Sequence, residues 1–114
     1  MSATDCIFCK IAAGEIPAKF AYQDDEIIAF HDIRPKAPVH LLVVPRVHIE
    51  SLNDIRPSDG QLLSNMLMLL PKLALEHGLK NGFRTICNNG PDGGQEVNHL
   101  HFHILGGGGR LPGF

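Results

Sequence analysis

Apolar residues along the chain fall into short runs of strand-like spacing and one long stretch of helical spacing. The helical stretch spans 58–77. Leu62, Met66, Leu69, Leu70, Leu73 and Ala74 recur at helical intervals and mark a broad apolar face. Ser58 and Gln61 stand at capping-box spacing behind Pro57, and Gly78 stands where a left-handed C-terminal cap is needed. From Gln61 to His77 the helix would run roughly 25 Å. Pro71 lies inside it, removes the bond to the Leu67 carbonyl and predicts a kink or local opening.

Before this helix, 6–14 fits one or two helical turns ended by Gly14, and Ile16 and Pro17 break the run. Residues 20–22 and 26–31 read as short strands joined by the polar turn Gln23-Asp24-Asp25. Residues 39–44, VHLLVV, fit a well-buried strand closed by Pro45. After the helix, 83–89 and 98–105 read as strands separated by a Gly-rich loop, 90–94. The termini, 1–5 and 107–114, carry no pattern and are expected to be flexible. Strands, one long helix, then strands predict an α+β fold with an antiparallel sheet rather than a doubly wound one. So few elements beside so wide an apolar helix face also predict that a second copy covers part of the surface.

Composition narrows the functional classes. At 114 residues the chain fits one domain, 1–114. Charged residues are 19% and hydrophobic ones 44%, which suits neither a disordered nor a membrane-spanning chain. A net charge of −2 excludes the basic footprint of a general nucleic-acid binder, though not a phosphate site built from neutral donors. No apolar run is long enough to span a bilayer, and the first residues lack the basic start and apolar core of a signal peptide, so the expected compartment is cytoplasmic. Three cysteines argue against a secreted disulfide framework. Cys6 and Cys9 form a C-x-x-C pair with a metal or redox role, and Cys87 reads as a small core residue.

The composition also holds seven histidines against one tyrosine and no tryptophan. Three of them alternate in His99-Leu100-His101-Phe102-His103-Ile104. On a strand this puts three imidazoles on one face and Leu100, Phe102 and Ile104 into the core. Three readings are open: a polar strand face, a three-histidine metal site, and a nucleophile. Neutral imidazole attacks phosphorus well and leaves well from a phosphorylated intermediate. Neighbouring rings on the same face fix which nitrogen is bare, and His101 has a histidine on both sides.

The segment H-L-H-F-H-I-L resembles the motif of the histidine triad (HIT) superfamily, and CIFCKIAAGEIPA, AFHDIRPKAPVHLLVVPRVHI and NNGPDGGQEVNHLHFHILGG extend the resemblance over almost the whole chain. It is greatest to the Hint branch, the purine nucleoside phosphoramidate hydrolases; another branch hydrolyses dinucleoside polyphosphates. The resemblance implies a five-stranded antiparallel sheet with one long and one short helix, dimerising into a ten-stranded sheet. It implies that His101 is the nucleophile, that His99, His103 and His40 assist it, and that the intermediate is a nucleotidyl-histidine. Asp32 would hold the ribose hydroxyls. Ile7, Phe8, Ile11, Phe30, Ile33 and Leu42 would surround the base, and Asn88, Gly94 and Gln95 would lie on the phosphate side, with loop N–H groups near the phosphate. Glu96 departs from the serine that many animal relatives carry near the leaving group.

In some relatives zinc is held by residues matching Cys6, Cys9, His48 and His99; free thiols are the alternative. No cofactor is implied for catalysis itself, and such a zinc would be structural. The implied partners are a purine nucleotide of the AMP or GMP type and a second copy of the chain, with no nucleic acid and no membrane. A nucleotide-binding adaptor with incidental catalysis is the rival outside the enzymes. His31 and His77 read as a strand residue and a helix-end cation.

Overall fold

A computed structural model describes residues 5–113. The strands are β1 (Phe20–Gln23), β2 (Ile27–His31), β3 (Val39–Pro45), β4 (Arg84–Ile86) and β5 (Phe102–Gly106), and the helices are α1 (Ile7–Ala12) and α2 (Gly60–Glu76). The strands form one antiparallel sheet in the order β1-β2-β3-β5-β4. The predicted α+β class and five-stranded sheet are therefore present.

The sheet is a middle layer, and this explains the unbroken apolar run of β3. Leu41 and Val43 pack with Ile27, Ala29, Phe102 and Ile104 beneath α2. Leu42 and Val44 point the other way and pack with Ile28 and Phe30 beneath α1, against Phe8 and Ile11. A strand covered on both faces has no position for polar alternation. His40 is the polar exception, buried on the face that carries Leu42.

The helix ends differ in how they were foreshadowed. Gly78 adopts φ +82°, the Gly78 N–H donates to the Leu75 carbonyl and the Leu79 N–H to the Ala74 carbonyl, the double bond of a Schellman cap. The start is corrected: Pro57–Asp59 form a turn of 3₁₀ helix, and α2 begins at Gly60. Here the Asp59 carboxylate accepts from the Arg56 N–H at 2.8 Å, the role assigned to the Ser58 and Gln61 pair. The helix runs as one element through Pro71. Pro71 and Leu67 lie on the solvent side, where a carbonyl left without its helical donor can bond to solvent instead.

Both C-terminal strands are shorter than predicted. β4 ends at Ile86, and β5 begins only at Phe102. His99, Leu100 and His101 therefore precede the ladder. Leu100 is held by its N–H donating to the Ile49 carbonyl at 2.6 Å. The alternation of faces survives without the ladder: Leu100, Phe102 and Ile104 are in the α2-side core. Of the termini, 1–4 and 114 lie outside the described residues. The segment after β5 is seated, since Arg84 donates to the Pro112 carbonyl.

Candidate active site

Five imidazoles and one phenyl ring form a continuous series on the α1 side of the sheet. Ring centroids are 4.9 Å apart for His48 and His99, 5.9 Å for His99 and Phe8, and 5.1 Å for Phe8 and His101. His101 to His103 is 5.0 Å and His103 to His40 is 5.1 Å. Phe8 enters this series because α1 lies across the sheet. Its side chain is buried, and its ring also meets Phe30 edge-on at 5.5 Å.

The backbone fixes the protons on these rings. A carbonyl only accepts and an amide N–H only donates, so each neutral ring bonded to one has its tautomer set. His101 Nδ1 is 2.7 Å from the His99 carbonyl, so Nδ1 carries the proton and Nε2 is bare. His99 Nε2 donates to the Pro45 carbonyl at 2.7 Å, which leaves its Nδ1 bare. The Lys36 N–H donates to His40 Nδ1 at 3.1 Å. His40 Nε2–H then donates to His103 Nδ1 at 2.9 Å, and His103 presents Nε2–H. One nucleophilic nitrogen and one donor nitrogen thus stand side by side.

Burial keeps these rings neutral. It pushes His103 down to about 4, with His101 and His40 adding repulsion and Asp32 opposing. It pushes His99 down to about 4, with the Pro45 carbonyl opposing and His48 and His101 adding to the fall. His101 is also lowered by burial, against the pull of the His99 carbonyl, Asp32 and Glu96. His40 is lowered by burial, with Asp32 opposing.

His101, His103 and His40 open into a cavity of about 210 Å³, lined also by Phe8, Asp32, Lys36, Leu42, Ile86, Asn88, Gly94, Glu96, Val97 and Leu105. Asp32 Oδ1 accepts from the Arg34 N–H at 2.8 Å, and Oδ2 lies 3.5 Å from His40 Nε2. Ile11 and Phe30 are buried behind Phe8 and do not line the cavity. Ile7 and Ile33 stand exposed, Ile33 at 92%. Lys36, Ile86, Val97 and Leu105 are lining residues with no role assigned from the sequence. The Lys36 hydrogen bond to His40 comes from its backbone, which a residue-type pattern cannot reveal. A larger cavity of about 610 Å³, between the α2–β4 turn and the segment after β5, contains none of the histidines.

The Gly-rich loop is built differently from the expectation. Gly90 and Gly94 have positive φ, 74° and 79°, on either side of a 3₁₀ turn. The N–H groups of Gly93, Gly94 and Gln95 donate to the carbonyls of Gly90, Pro91 and Gly90. The Gln95 side chain accepts from the Gly90 N–H at 2.8 Å and donates to the carbonyls of Glu50, at 2.6 Å, and Val97, at 3.0 Å. Gln95 is therefore an internal strut of the loop, and Asn88, His103 and Lys36 are cavity-lining residues whose side chains carry donors.

A second cluster adjoins the first. Cys6 Sγ is 3.3 Å and Cys9 Sγ 3.5 Å from His99 Nδ1, and Cys9 Sγ is 3.2 Å from His48 Nδ1. All four ligand atoms lie within 4.8 Å of one another. Tetrahedral zinc with two thiolates and two imidazoles sets S···N edges of about 3.5 Å, so this donor set fits such an ion. The bare Nδ1 of His99 suits it too. Without a cation, burial and the neighbouring Cys6 push the Cys9 thiol up to about 11.

The family model described as "Scavenger mRNA decapping enzyme C-term binding" matches residues 5–110. Protein HitA of Neisseria gonorrhoeae is 52% identical over 102 residues, covering 90% of this chain and 95% of that protein. The chain belongs to the histidine triad family. Among HIT proteins, the purine nucleoside phosphoramidase of Escherichia coli K12 is 43% identical over 106 residues, covering 92% of this chain and 89% of that one. The solved HIT structure of a histidine triad protein from Clostridium difficile is 50% identical, with a TM-score of 0.92 over 100% of this chain and 99% of that one. A HIT family hydrolase from Legionella pneumophila Philadelphia 1 is also 50% identical, with a TM-score of 0.88 over 94% of this chain and 95% of that one.

Proposed function

We propose that this HIT protein is a nucleotide hydrolase that cleaves the P–N bond of purine nucleoside phosphoramidates. The carrying observation is the bare Nε2 of a neutral His101 facing a cavity. In this reading Nε2 attacks the α-phosphorus. The Nε2–P bond forms, the P–N bond breaks, and the departing nitrogen takes a proton from solvent and leaves as an amine; the water of the second step returns that proton. Water then attacks phosphorus, breaks the Nε2–P bond and releases the nucleoside monophosphate. Asn88 and His103 Nε2–H donate to the phosphoryl oxygens where charge develops. His40 holds His103 in the donor tautomer, and the His99 carbonyl holds His101 in the nucleophilic one. Asp32 accepts from the ribose hydroxyls, while Phe8 and Leu42 pack on the base with Ile11 and Phe30 behind them. Ile7 and Ile33 contribute at the edge of the base, and Gly94 and Gln95 shape the phosphate side. The name of the Escherichia coli relative supports the substrate class.

The same reading makes 1–114 one domain and gives zinc a structural role at Cys6, Cys9, His48 and His99, with no cofactor in the reaction. It sets the protein in the cytoplasm as a homodimer. Comparison of initial rates on adenosine 5′-phosphoramidate and diadenosine polyphosphates tests the bond assignment. The phosphoramidate should turn over faster. Faster cleavage of the diadenosine compounds would move the protein to polyphosphate hydrolysis. A His101→Ala protein should lose turnover yet still bind AMP.

A further inference from the structure

Two carboxylates line the catalytic cavity, Asp32 and Glu96. Asp32 is engaged by the Arg34 N–H and lies beside His40. Glu96 is exposed and, among the described residues, makes no hydrogen bond or ion pair, although its charge reaches His101. It follows Gln95, whose three hydrogen bonds hold the loop, so the stem that carries Glu96 is anchored while its carboxylate is not committed. The cation in the lining, Lys36, projects from the segment between β2 and β3. The cavity therefore has one uncommitted carboxylate in the lining that it shares with His101.

From this geometry we infer that Glu96 selects the leaving group by charge: it favours phosphoramidates whose departing amine carries a second, cationic group and disfavours those whose amine carries a carboxylate. The inference rests on the phosphoramidate reading above. Its physical basis is Coulombic. In a partly desolvated cleft one unit charge discriminates between a cation and an anion at the same place, and added salt weakens the discrimination. Asp32 does not duplicate this role, because its oxygens already meet the Arg34 N–H and His40 Nε2 and, in the phosphoramidate reading, the ribose hydroxyls.

Three adenosine 5′-phosphoramidates test it, made with 1,3-diaminopropane, propylamine and β-alanine, on the full chain and on the Glu96→Gln and Glu96→Lys proteins. For the wild type, kcat/KM should favour the diamine compound over the β-alanine compound by about tenfold or more. Glu96→Gln should bring that ratio within about threefold, and Glu96→Lys should invert it. Because the amines differ in basicity, the change of ratio between proteins is the readout, not the ratio itself. Raising salt from about 0.05 M to about 0.5 M should shrink the wild-type ratio and leave that of Glu96→Gln nearly constant. A ratio equal in all three proteins, or an equal loss on all three substrates, overturns the assignment of Glu96 and leaves the phosphoramidate reading standing. A wild type that turns over none of the three overturns that reading, and this inference with it.

Discussion

His101 is prepared for attack by its own backbone. The carbonyl of His99, two residues earlier, accepts a hydrogen bond from Nδ1–H, so one short segment both places the ring and bares its outer nitrogen. The pH dependence follows with a definite sign. Burial lowers the His101 pKa below the ordinary 6.5, and only the unprotonated ring attacks. kcat/KM should therefore hold as pH falls through 6.5 and decline only below it; an acid limb at or above 6.5 would contradict this. Stability has its own window at His103, which burial lowers from the ordinary 6.5 to about 4 in the folded chain. The unfolded chain takes up this proton first, so the contribution of His103 is complete above about 6.5 and is lost as pH falls toward 4. Urea unfolding across that range should show the decline. Replacing His40 by Phe removes the donor that holds His103, and kcat/KM should fall roughly tenfold or more with the fold retained.

At the scale of elements, α1 matters beyond its six residues. Cys6 caps it, Cys9 lies one turn on, and Phe8 between them reaches His101. A metal bound by the Cys and His cluster would hold this helix to His48 and His99, so Cys9→Ser should lower zinc content, measured by plasma emission, and reduce Tm by several degrees. Zinc below a tenth of an equivalent in wild-type protein purified without chelator would contradict the metal reading. Much of this was legible in the sequence. The periodicity of Leu62 to Ala74 and the cap at Gly78 depend on neighbours a few positions apart, so α2 could be read locally. The triad alternation could be read for the same reason. The end of β4 at Ile86 and the start of β5 at Phe102 depend instead on which strand lies alongside, and composition carries no sign of that. The polar tasks of Gln95 and of the Lys36 N–H were hidden because the partners are backbone groups brought close only by the fold.

At the scale of the whole molecule, the sheet ends at β4, and α2 presents Leu67, Met68 and Leu75 outward at 53%, 73% and 66% exposure. Three large exposed apolar side chains on one helix are what a second copy would cover, and pairing of the edge strand β4 to its counterpart would extend the sheet. Sedimentation should give about 25 kDa, twice the 12.5 kDa chain, and a Met68→Glu, Leu75→Glu protein should sediment as a monomer. A wild-type monomer at micromolar concentration would contradict the dimer. None of the helices among the described residues is long and apolar enough to cross a membrane. The claim on which the rest depends is the covalent step at one nitrogen. Rapid acid quench of the protein with adenosine 5′-phosphoramidate, followed by peptide mass mapping under conditions that preserve phosphorus–nitrogen bonds, tests it most directly. The account predicts an adenylyl group on His101 and none in the His101→Ala protein. Turnover with no adduct on any histidine, or an adduct on His99 or His103 instead, would contradict it.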